Sequence, residues 1–303
     1  MQIYLPVAEL SLNLLLLVGI GLAIGFLSGM FGIGGGFIMT PLLIFLGVPA
    51  GVAVGTGASQ VVASSVSSAV GHYRRNNIDM QMAGLLIVGG FVGAIVGVQL
   101  LAVLKALGQL EFFVSLMYVL LLGVVGGLML IEAVRTLRAS GAAAATRRKA
   151  GQHTWLEGMP LKFRFRVSKI YISTIPPVAI GMVVGLLTAI MGVGGGFLMV
   201  PAMIYLLRMP TKLVIGTSTM QILFVTAFTT ILQATQNHAV DIMLAAPLIA
   251  GGVIGAQLGV GYGERLKAEQ LRALLALLVL AVAVRMALSL TIRPSDLFMI
   301  ETP

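Results

Sequence analysis

Long stretches of uncharged, mostly apolar residues alternate with short charged segments along this chain. Seven blocks contain no Asp, Glu, Lys or Arg, and they cover residues 10–73, 80–104, 112–131, 170–207, 213–240, 242–263 and 273–284. A helix needs roughly 20 apolar residues to cross the hydrocarbon core of a bilayer. The pattern therefore predicts an all-α polytopic membrane protein that contacts the lipid bilayer over most of its length.

The blocks divide into about ten predicted transmembrane helices, five in each half of the chain. They lie near residues 10–28, 36–47, 51–73, 82–104, 112–134, 170–190, 195–207, 213–235, 242–262 and 271–292. The second and seventh are short, since about twelve helical residues reach only about 18 Å, whereas the hydrocarbon core is about 30 Å thick. The glycine-rich loop that precedes each short helix is therefore expected to dip into the membrane.

The second half of the chain repeats the first. Phe31-Gly-Ile-Gly-Gly-Gly-Phe-Ile-Met-Thr-Pro41 matches Met191-Gly-Val-Gly-Gly-Gly-Phe-Leu-Met-Val-Pro201 at an offset of 160 residues. Further matches follow at offsets of 161 and 162, namely Gly55-Thr56 with Gly216-Thr217, Gln60 with Gln221, Asp79 with Asp241, and Gly89-Gly90 with Gly251-Gly252. Because the offset between matching residues changes by only two positions over this range, the matches indicate an internal duplication.

Charge gives the predicted orientation of the two repeats. The chain is 58% hydrophobic and 10% charged, and nine of its nineteen Lys and Arg residues stand in the stretch 135–169. With that stretch in the cytoplasm and both termini outside, sixteen of these cations face the cytoplasm and two face outward, as the positive-inside rule expects. Five helices per repeat, an odd number, would give the halves opposite orientations, which is typical of secondary transporters. The +9 net charge thus reflects membrane orientation and not nucleic-acid binding.

We therefore predict three regions. They are an N-terminal transmembrane repeat (1–136), a basic cytoplasmic linker (137–169) and a C-terminal transmembrane repeat (170–303). The N-terminus lacks the basic region of a secretory signal, so the first segment is expected to be a retained span.

Composition and motifs argue against enzymatic chemistry. The chain contains no cysteine, which excludes disulfides and thiolate ligands. The glycine loop is not a dinucleotide fingerprint, because no soluble strand–helix unit surrounds it. Neither an intramembrane aspartate pair nor a nucleophile elbow is present. We expect a protein that is not an enzyme and that uses no cofactor or metal.

The two glycine loops are the first candidate for a ligand site. The residues concerned are Gly34, Gly35 and Gly36 in the first copy and Gly194, Gly195 and Gly196 in the second. Glycine leaves backbone N–H groups uncovered, and the N-terminus of the following helix carries a partial positive charge that suits an anion. The alternative is that the glycines only allow helices to cross closely. The duplication and the short following helix together favour the site.

Polar side chains on the third segment and its counterpart form a second candidate. Thr56 and Gln60 share one helical face with Ser59 beside it, and Thr217 and Gln221 repeat the pair. A face of neutral donors suits an anion that must be bound weakly enough to leave. The alternative role is hydrogen bonding between helices, and the many small residues of the third segment predict a central position in the bundle.

A few ionisable residues complete the candidates. His72, Asp79, His238 and Asp241 stand near segment ends, where they could carry a coupled proton or cap helices at the interface. Arg285 is the one charge inside a predicted span, and it could contact the anion or extend toward the membrane surface.

Together, the paired glycine motifs, the Gly-Thr-x-x-x-Gln blocks and the Gly-Gly-x-x-Gly-Ala blocks resemble the sulfite exporter TauE/SafE family. The resemblance covers roughly residues 10–104 and 170–292. It implies a multi-pass permease of the bacterial or archaeal cytoplasmic membrane that moves a small sulfur-containing anion, such as sulfite or an organosulfonate. The family is often described with four plus four spans, whereas five plus five are counted here. Two alternatives are a permease for another small anion or solute, and a membrane scaffold or sensor that acts through the basic linker.

Overall fold

The computed structural model describes residues 2–31, 34–74, 76–139, 162–165, 167–168, 170–207, 209–263 and 268–291. Within this part of the chain there are ten helices, one on each predicted segment. The first half forms α1 (Leu14–Phe31), α2 (Gly36–Phe45), α3 (Ala50–Arg74), α4 (Met80–Ala106) and α5 (Leu110–Ala139). The second half forms α6 (Ile175–Met191), α7 (Gly196–Tyr205), α8 (Thr211–Gln236), α9 (Ile242–Gly263) and α10 (Ala268–Thr291). The prediction of a mostly helical fold with ten helices is confirmed.

Part of the predicted linker lies outside the described residues, since they omit 140–161. Seven further cations used in the charge count also lie outside them, namely Arg75, Arg166, Lys169, Arg208, Arg265, Lys267 and Arg293. The division into regions at 136 and 169 stays a prediction.

Among the described residues, four helices are long and apolar enough to cross a membrane, judged by length and composition. They are Met80–Ala106, Leu110–Leu128, Leu213–Gln236 and Ile242–Gly259. Shorter apolar helices comprise Leu14–Met30, Gly36–Phe45, Ile175–Met191 and Ala276–Leu288. Helix α3 is in neither group, because its Ser, Thr and Gly residues lower its hydropathy. Its residues 52–58 are all buried, which confirms the central position predicted for this segment.

Each half begins with a β-hairpin that the sequence reading missed. The first pairs β1 (Gln2–Leu5) with β2 (Leu10–Asn13), and the second pairs β3 (Lys162–Phe165) with β4 (Ile170–Ser173). The predicted helix starts near residues 10 and 170 were therefore wrong, because α1 begins at Leu14 and α6 at Ile175. The strands β2 and β4 alternate apolar and polar residues at the strand period of two. That signal is only four residues long and merges with the apolar run that follows.

Glycines four residues apart line the contact between α1 and α9. A Cβ atom on Gly25 would lie 2.1 Å from the carbonyl oxygen of Gly252, so the two backbones touch directly. The same close approach recurs at Gly21, Gly29, Gly251, Gly255 and Gly259. Small residues at this spacing let transmembrane helices pack backbone to backbone. The contact joins the first helix of one half to the fourth helix of the other.

Helices α4 and α6 pack in the same way. A Cβ atom on Gly93 would lie 1.9 Å from the carbonyl oxygen of Met182, and one on Gly185 would lie 2.1 Å from that of Gly90. Gly89, Gly97 and Gly181 make further contacts of this kind. The glycine spacing is visible in the sequence, but the partner helix is not, because it belongs to the other half.

Helices α3 and α8 pack against each other and run in opposite directions. Gly55, near the start of α3, lies against Ala239, which follows the end of α8. Gly216, near the start of α8, lies against Asn77, which follows the end of α3. Helices α5 and α10 form a further packed pair. Each of these pairs draws one helix from each half, so the halves interlock and do not form separate bundles.

Candidate functional site

The two glycine loops meet each other. A Cβ atom on Gly36 would lie 2.6 Å from the carbonyl oxygen of Gly192 and 2.7 Å from that of Val193, so the loops are in backbone contact. Just beyond them the rings of Phe37 and Phe197 pack with centroids 5.8 Å apart. The structure thus brings together the two sets of glycines that the sequence placed 160 residues apart.

The loops lie halfway along the two central helices. Gly34 and Gly194 adopt φ angles of +76° and +75°, a region that favours glycine. Both border the same two side chains, Val61 of α3 and Ile222 of α8. Each of these side chains lies close to the middle of its helix. We call this level of the molecule the central layer.

Helices α2 and α7 begin in the central layer. Gly35 and Gly195 directly precede them, and neither helix start is capped by a hydrogen bond from a side chain of the described residues. The carbonyl oxygen of Gly35 accepts the N–H groups of Ile38 and Met39. The first N–H groups of a helix, here those of Gly36 and Phe37, generally have no partner within the helix, so they suit a bound oxyanion.

Gln60 and Gln221 are the most informative side chains of the site. They are 1% and 0% exposed, and neither the amide nitrogen nor the amide oxygen of either one has a hydrogen-bond partner among the described residues. Leaving a buried polar group unpaired costs about 1–3 kcal/mol, and such a group calls for an explanation, for example an unseen water or ligand. The two unpartnered amides stand at equivalent positions of the two repeats.

Both amides lie at the level of the glycine loops. The Gln60 amide nitrogen lies 2.5 Å from the place of a Cβ on Gly252, which packs on Gly25. Ile24, which directly precedes Gly25 on α1, contacts Gly35 of the first glycine loop. The second half repeats this arrangement. The Gln221 amide lies beside Gly90, and Gly90 packs on Gly185. Val184, which directly precedes Gly185, contacts Gly195 of the second glycine loop. Glycine at 252 and at 90 leaves the space that each amide occupies.

Thr56 and Thr217 bridge the two halves. The Thr56 Oγ1 atom accepts the backbone N–H of Asp241 at 3.1 Å, and the Thr217 Oγ1 atom accepts that of Asp79 at 3.0 Å. For both residues, these bonds confirm the predicted alternative role, which is hydrogen bonding between helices. The Ser59 hydroxyl donates to the Thr56 carbonyl oxygen at 2.6 Å, so its proton is used within α3. Contact of these three side chains with an anion stays a prediction.

Asp79 and Asp241 are fully buried and fasten the hairpins to the helices. One carboxylate oxygen of Asp79 caps α4 by accepting two backbone N–H groups, which confirms the capping role. Its other oxygen accepts the backbone N–H and hydroxyl of Ser168, in the turn of the second hairpin, at 3.0 and 2.6 Å. Asp241 likewise binds Leu244 through one oxygen and, through the other, Val7 and Ala8 in the first hairpin turn. These bonds occupy both oxygens of each carboxylate, and proton coupling stays a prediction.

Replacing Asp241 with asparagine is expected to destabilise the protein by about 2–3 kcal/mol, because the new NH₂ group would face N–H donors that the carboxylate now satisfies. Thermal unfolding of the purified protein in detergent measures the effect. Glu9→Gln is a matched control, since Glu9 is exposed in the same hairpin, and it should leave the melting temperature unchanged. Equal melting temperatures for the two variants would contradict the fastening role.

The remaining candidates do not reach the central layer. His72 is half-buried in the last turn of α3, and His238 is exposed between α8 and α9. The guanidinium carbon of Arg285 lies 4.9 Å from the centroid of the Phe45 ring, at the end of α2 that is remote from the glycine loop. Arg285 is exposed, as the predicted alternative of an outward-extending side chain would require. No group of three or more possible metal ligands occurs among the described residues.

The site also contains residues that sequence reasoning missed. Thr40 of α2 is buried, and its hydroxyl lies 3.1 Å from the place of a Cβ on Gly192 in the other loop. Tyr118 of α5 is buried and donates its hydroxyl to the carbonyl oxygen of Met191, directly before that loop. Thr40 stands inside the repeated motif, opposite Val200 of the second copy, and that difference was the available signal. Nothing in the sequence pointed to Tyr118.

Known proteins match this chain over most of its length. The family model described as "Sulfite exporter TauE/SafE" matches residues 17–286. A "Probable membrane transporter protein" of Xylella fastidiosa (strain 9a5c) is 30% identical over 276 residues, which covers 90% of this chain and 94% of the relative. The "Probable membrane transporter protein YjnA" of Bacillus subtilis (strain 168) is 27% identical over 263 residues, covering 86% and 94%.

An archaeal relative also matches, over a shorter stretch. The "Probable membrane transporter protein MJ0441" of Methanocaldococcus jannaschii is 42% identical over 77 residues, covering 23% of this chain and 29% of the relative. No solved structure matches. The family match and the apolar helices confirm both the resemblance and the prediction of a multi-pass membrane protein. The chain belongs to the sulfite exporter TauE/SafE family of membrane transporters.

Proposed function

We propose that this protein is a secondary transporter that exports a small sulfur oxyanion, sulfite or an organosulfonate, across the cytoplasmic membrane by alternating access. The observation that carries the proposal is the pair of buried, unpartnered amides, Gln60 and Gln221, beside the two glycine loops. An amide NH₂ group offers two donors, and an oxyanion offers several acceptors. A ligand that reached either amide would satisfy polar atoms that the described residues leave unpaired.

The backbone supports an anion over a cation. Helices α2 and α7 begin at the loops, and the N-terminus of a helix carries a partial positive charge that favours anions. Secondary transporters use such half-helix starts near the bilayer midplane to hold anionic groups of their substrates. The glycine N–H groups would supply hydrogen bonds at the same place. No buried carboxylate among the described residues faces this layer, since Asp79 and Asp241 are engaged by the hairpin turns.

The packing supports alternating access between inverted repeats. Helices α3 and α8 occupy matching places in the two halves and run in opposite directions, as inverted repeats would. The reciprocal bonds from Asp241 to Thr56 and from Asp79 to Thr217 would be exchanged by a symmetry of this kind. A site lying between two such halves becomes accessible from either side when one half rocks against the other.

Transport in proteoliposomes tests the proposal. Vesicles that contain the purified protein and are loaded with radiolabelled sulfite or methanesulfonate should release the label faster than protein-free vesicles. Retention of both labels with release of another small anion or an uncharged solute would instead favour a different substrate. Absence of any flux, together with a loss of cellular function on deletion of residues 140–160, would favour a scaffold or sensor.

A further inference from the structure

A cavity lies away from the central layer, at the end of the molecule that carries the first hairpin. It has a volume of about 220 Å³, and a water molecule takes up about 30 Å³ in the liquid. The cavity therefore has room for a ligand of several heavy atoms. Its walls come from the starts of α3 and α5, the end of α4 and the segment after α8. We call it the hairpin-end cleft.

Part of the cleft lining is polar and basic. Lys105 in the last turn of α4 and His238 after α8 both line it, and both side chains are exposed. Asn237 also lines the cleft and donates from its amide nitrogen to the Gln233 amide oxygen at 2.7 Å. No acidic side chain is among the lining residues, and within the described chain no carboxylate pairs with Lys105. The positive charge is thus available to a ligand.

The rest of the lining is largely apolar. Val52 and Leu101 are 8% and 3% exposed, and the half-buried Leu110 lies beside them in the lining. Leu101 stands one helical turn before Lys105 on α4, so aliphatic surface and the cation lie on the same helix face. Inorganic sulfite or sulfate would use only the cation. An anion that carries a short hydrocarbon body would use both the cation and the aliphatic side chains.

The cleft is connected to the central layer through hydrogen bonds. The Gln233 amide nitrogen donates to the carbonyl oxygen of Ala189 at 3.1 Å. Ala189 stands in the last turn of α6, immediately before the second glycine loop. A ligand in the cleft would therefore lie against a wall that is fastened to the helix entering the central layer.

We infer that the hairpin-end cleft binds a small organic anion with an aliphatic body, such as a short alkanesulfonate, and that Lys105 is its counter-charge. The choice of a sulfonate as head group rests on the proposed function. The combination of charge and apolar surface rests on the cleft alone. On this assignment the protein holds two anion sites of different chemistry, neutral donors in the central layer and a cation in the cleft.

Binding of 1-butanesulfonate to the purified full-length protein at low salt tests the assignment, measured by isothermal titration calorimetry. Lys105→Met should weaken binding at one class of site by about tenfold, as loss of a charge-assisted contact implies. Arg164→Met is the matched control, because it removes one exposed cation from the second hairpin, and it should change affinity less than twofold. Gln221→Leu should leave the Lys105-dependent binding in place. Butyltrimethylammonium should not bind.

Three results would overturn the assignment. They are equal affinity of the Lys105→Met and wild-type proteins, equal loss in the Arg164→Met control, and sulfate binding as tight as that of butanesulfonate. The proposed function fails separately. Lys105-dependent binding without flux in proteoliposomes would support the cleft assignment and contradict the transport proposal. Flux without Lys105-dependent binding would support the transport proposal and contradict the cleft assignment.

Discussion

Replacing Gln221 with leucine is expected to lower transport by about 10–100-fold while leaving the folded protein at least as stable as the wild type. The amide is fully buried and unpartnered among the described residues. An apolar group of similar shape removes its desolvation cost, which is nearly neutral or stabilising. A bound anion would lose one charge-assisted hydrogen bond, which is typically worth about 1.5–3 kcal/mol. That loss of binding free energy corresponds to a fall in affinity of about 10–100-fold. At low substrate concentration the flux falls by the same factor. Gln60→Leu should behave in the same way.

A buried glutamine on the same helix provides the control. Gln233 of α8 is 1% exposed, but its amide donates to the Ala189 carbonyl and accepts from Asn237. Gln233→Leu should therefore lower the melting temperature, the opposite sign to Gln221→Leu. Initial efflux rates from proteoliposomes and thermal unfolding in detergent measure the two properties. A Gln221→Leu protein that is less stable and transports normally would show that this amide has a structural role.

The second large effect is expected at Gly93, where alanine should prevent α4 and α6 from packing. The added Cβ would lie 1.9 Å from the Met182 carbonyl oxygen and 2.7 Å from the Leu186 nitrogen. Both neighbours are backbone atoms, so the clash is relieved only by separating the helices. Because each half supplies one of these helices, separation would open the contact between the halves. We expect little or no monodisperse folded protein.

Gly84→Ala on the same helix is the matched control. A Cβ atom there meets nothing within 4 Å, and alanine is favoured over glycine in a helix by about 0.5–1 kcal/mol. This variant should be as stable as the wild type or more so. Size-exclusion chromatography of detergent extracts compares the two proteins. A Gly93→Ala protein that elutes and melts like the Gly84→Ala protein would refute the backbone contact. Gly25→Ala and Gly19→Ala form an equivalent pair on α1, since Gly19 also faces open space.

The helices were predictable because the bilayer sets a length for apolar segments. Charged residues delimited seven uncharged blocks, and the glycine loops together with Pro49 divided the two longest blocks into the remaining helices. The shortness of α2 and α7 followed from the same proline and glycine residues. The hairpins were not predictable in this way. Residues 10–13 and 170–173 join the apolar runs of α1 and α6, so their alternation of period two was absorbed into a longer helical signal.

The candidate site was predictable in composition and not in arrangement. The repeat identified the glycines, the Thr–Gln pairs and the aspartates as equivalent sets. Which of them lack partners depends on contacts between residues far apart in the chain. Thr56 and Asp241 are bonded across 185 positions, and the space around Gln60 is set by Gly252. No local pattern contains that information.

The interlocking of the halves has a consequence for biogenesis. The glycine stripe of α1 packs on α9, and the turn of the first hairpin is held by Asp241, so both partners are synthesised more than two hundred residues later. Until α9 has been synthesised, the glycine face of α1 therefore lacks its partner helix and lies against lipid or other parts of the chain. These contacts form only when nearly the whole chain has been made. A chain that ends after α5 would lack both α9 and Asp241, and we expect it to be unstable.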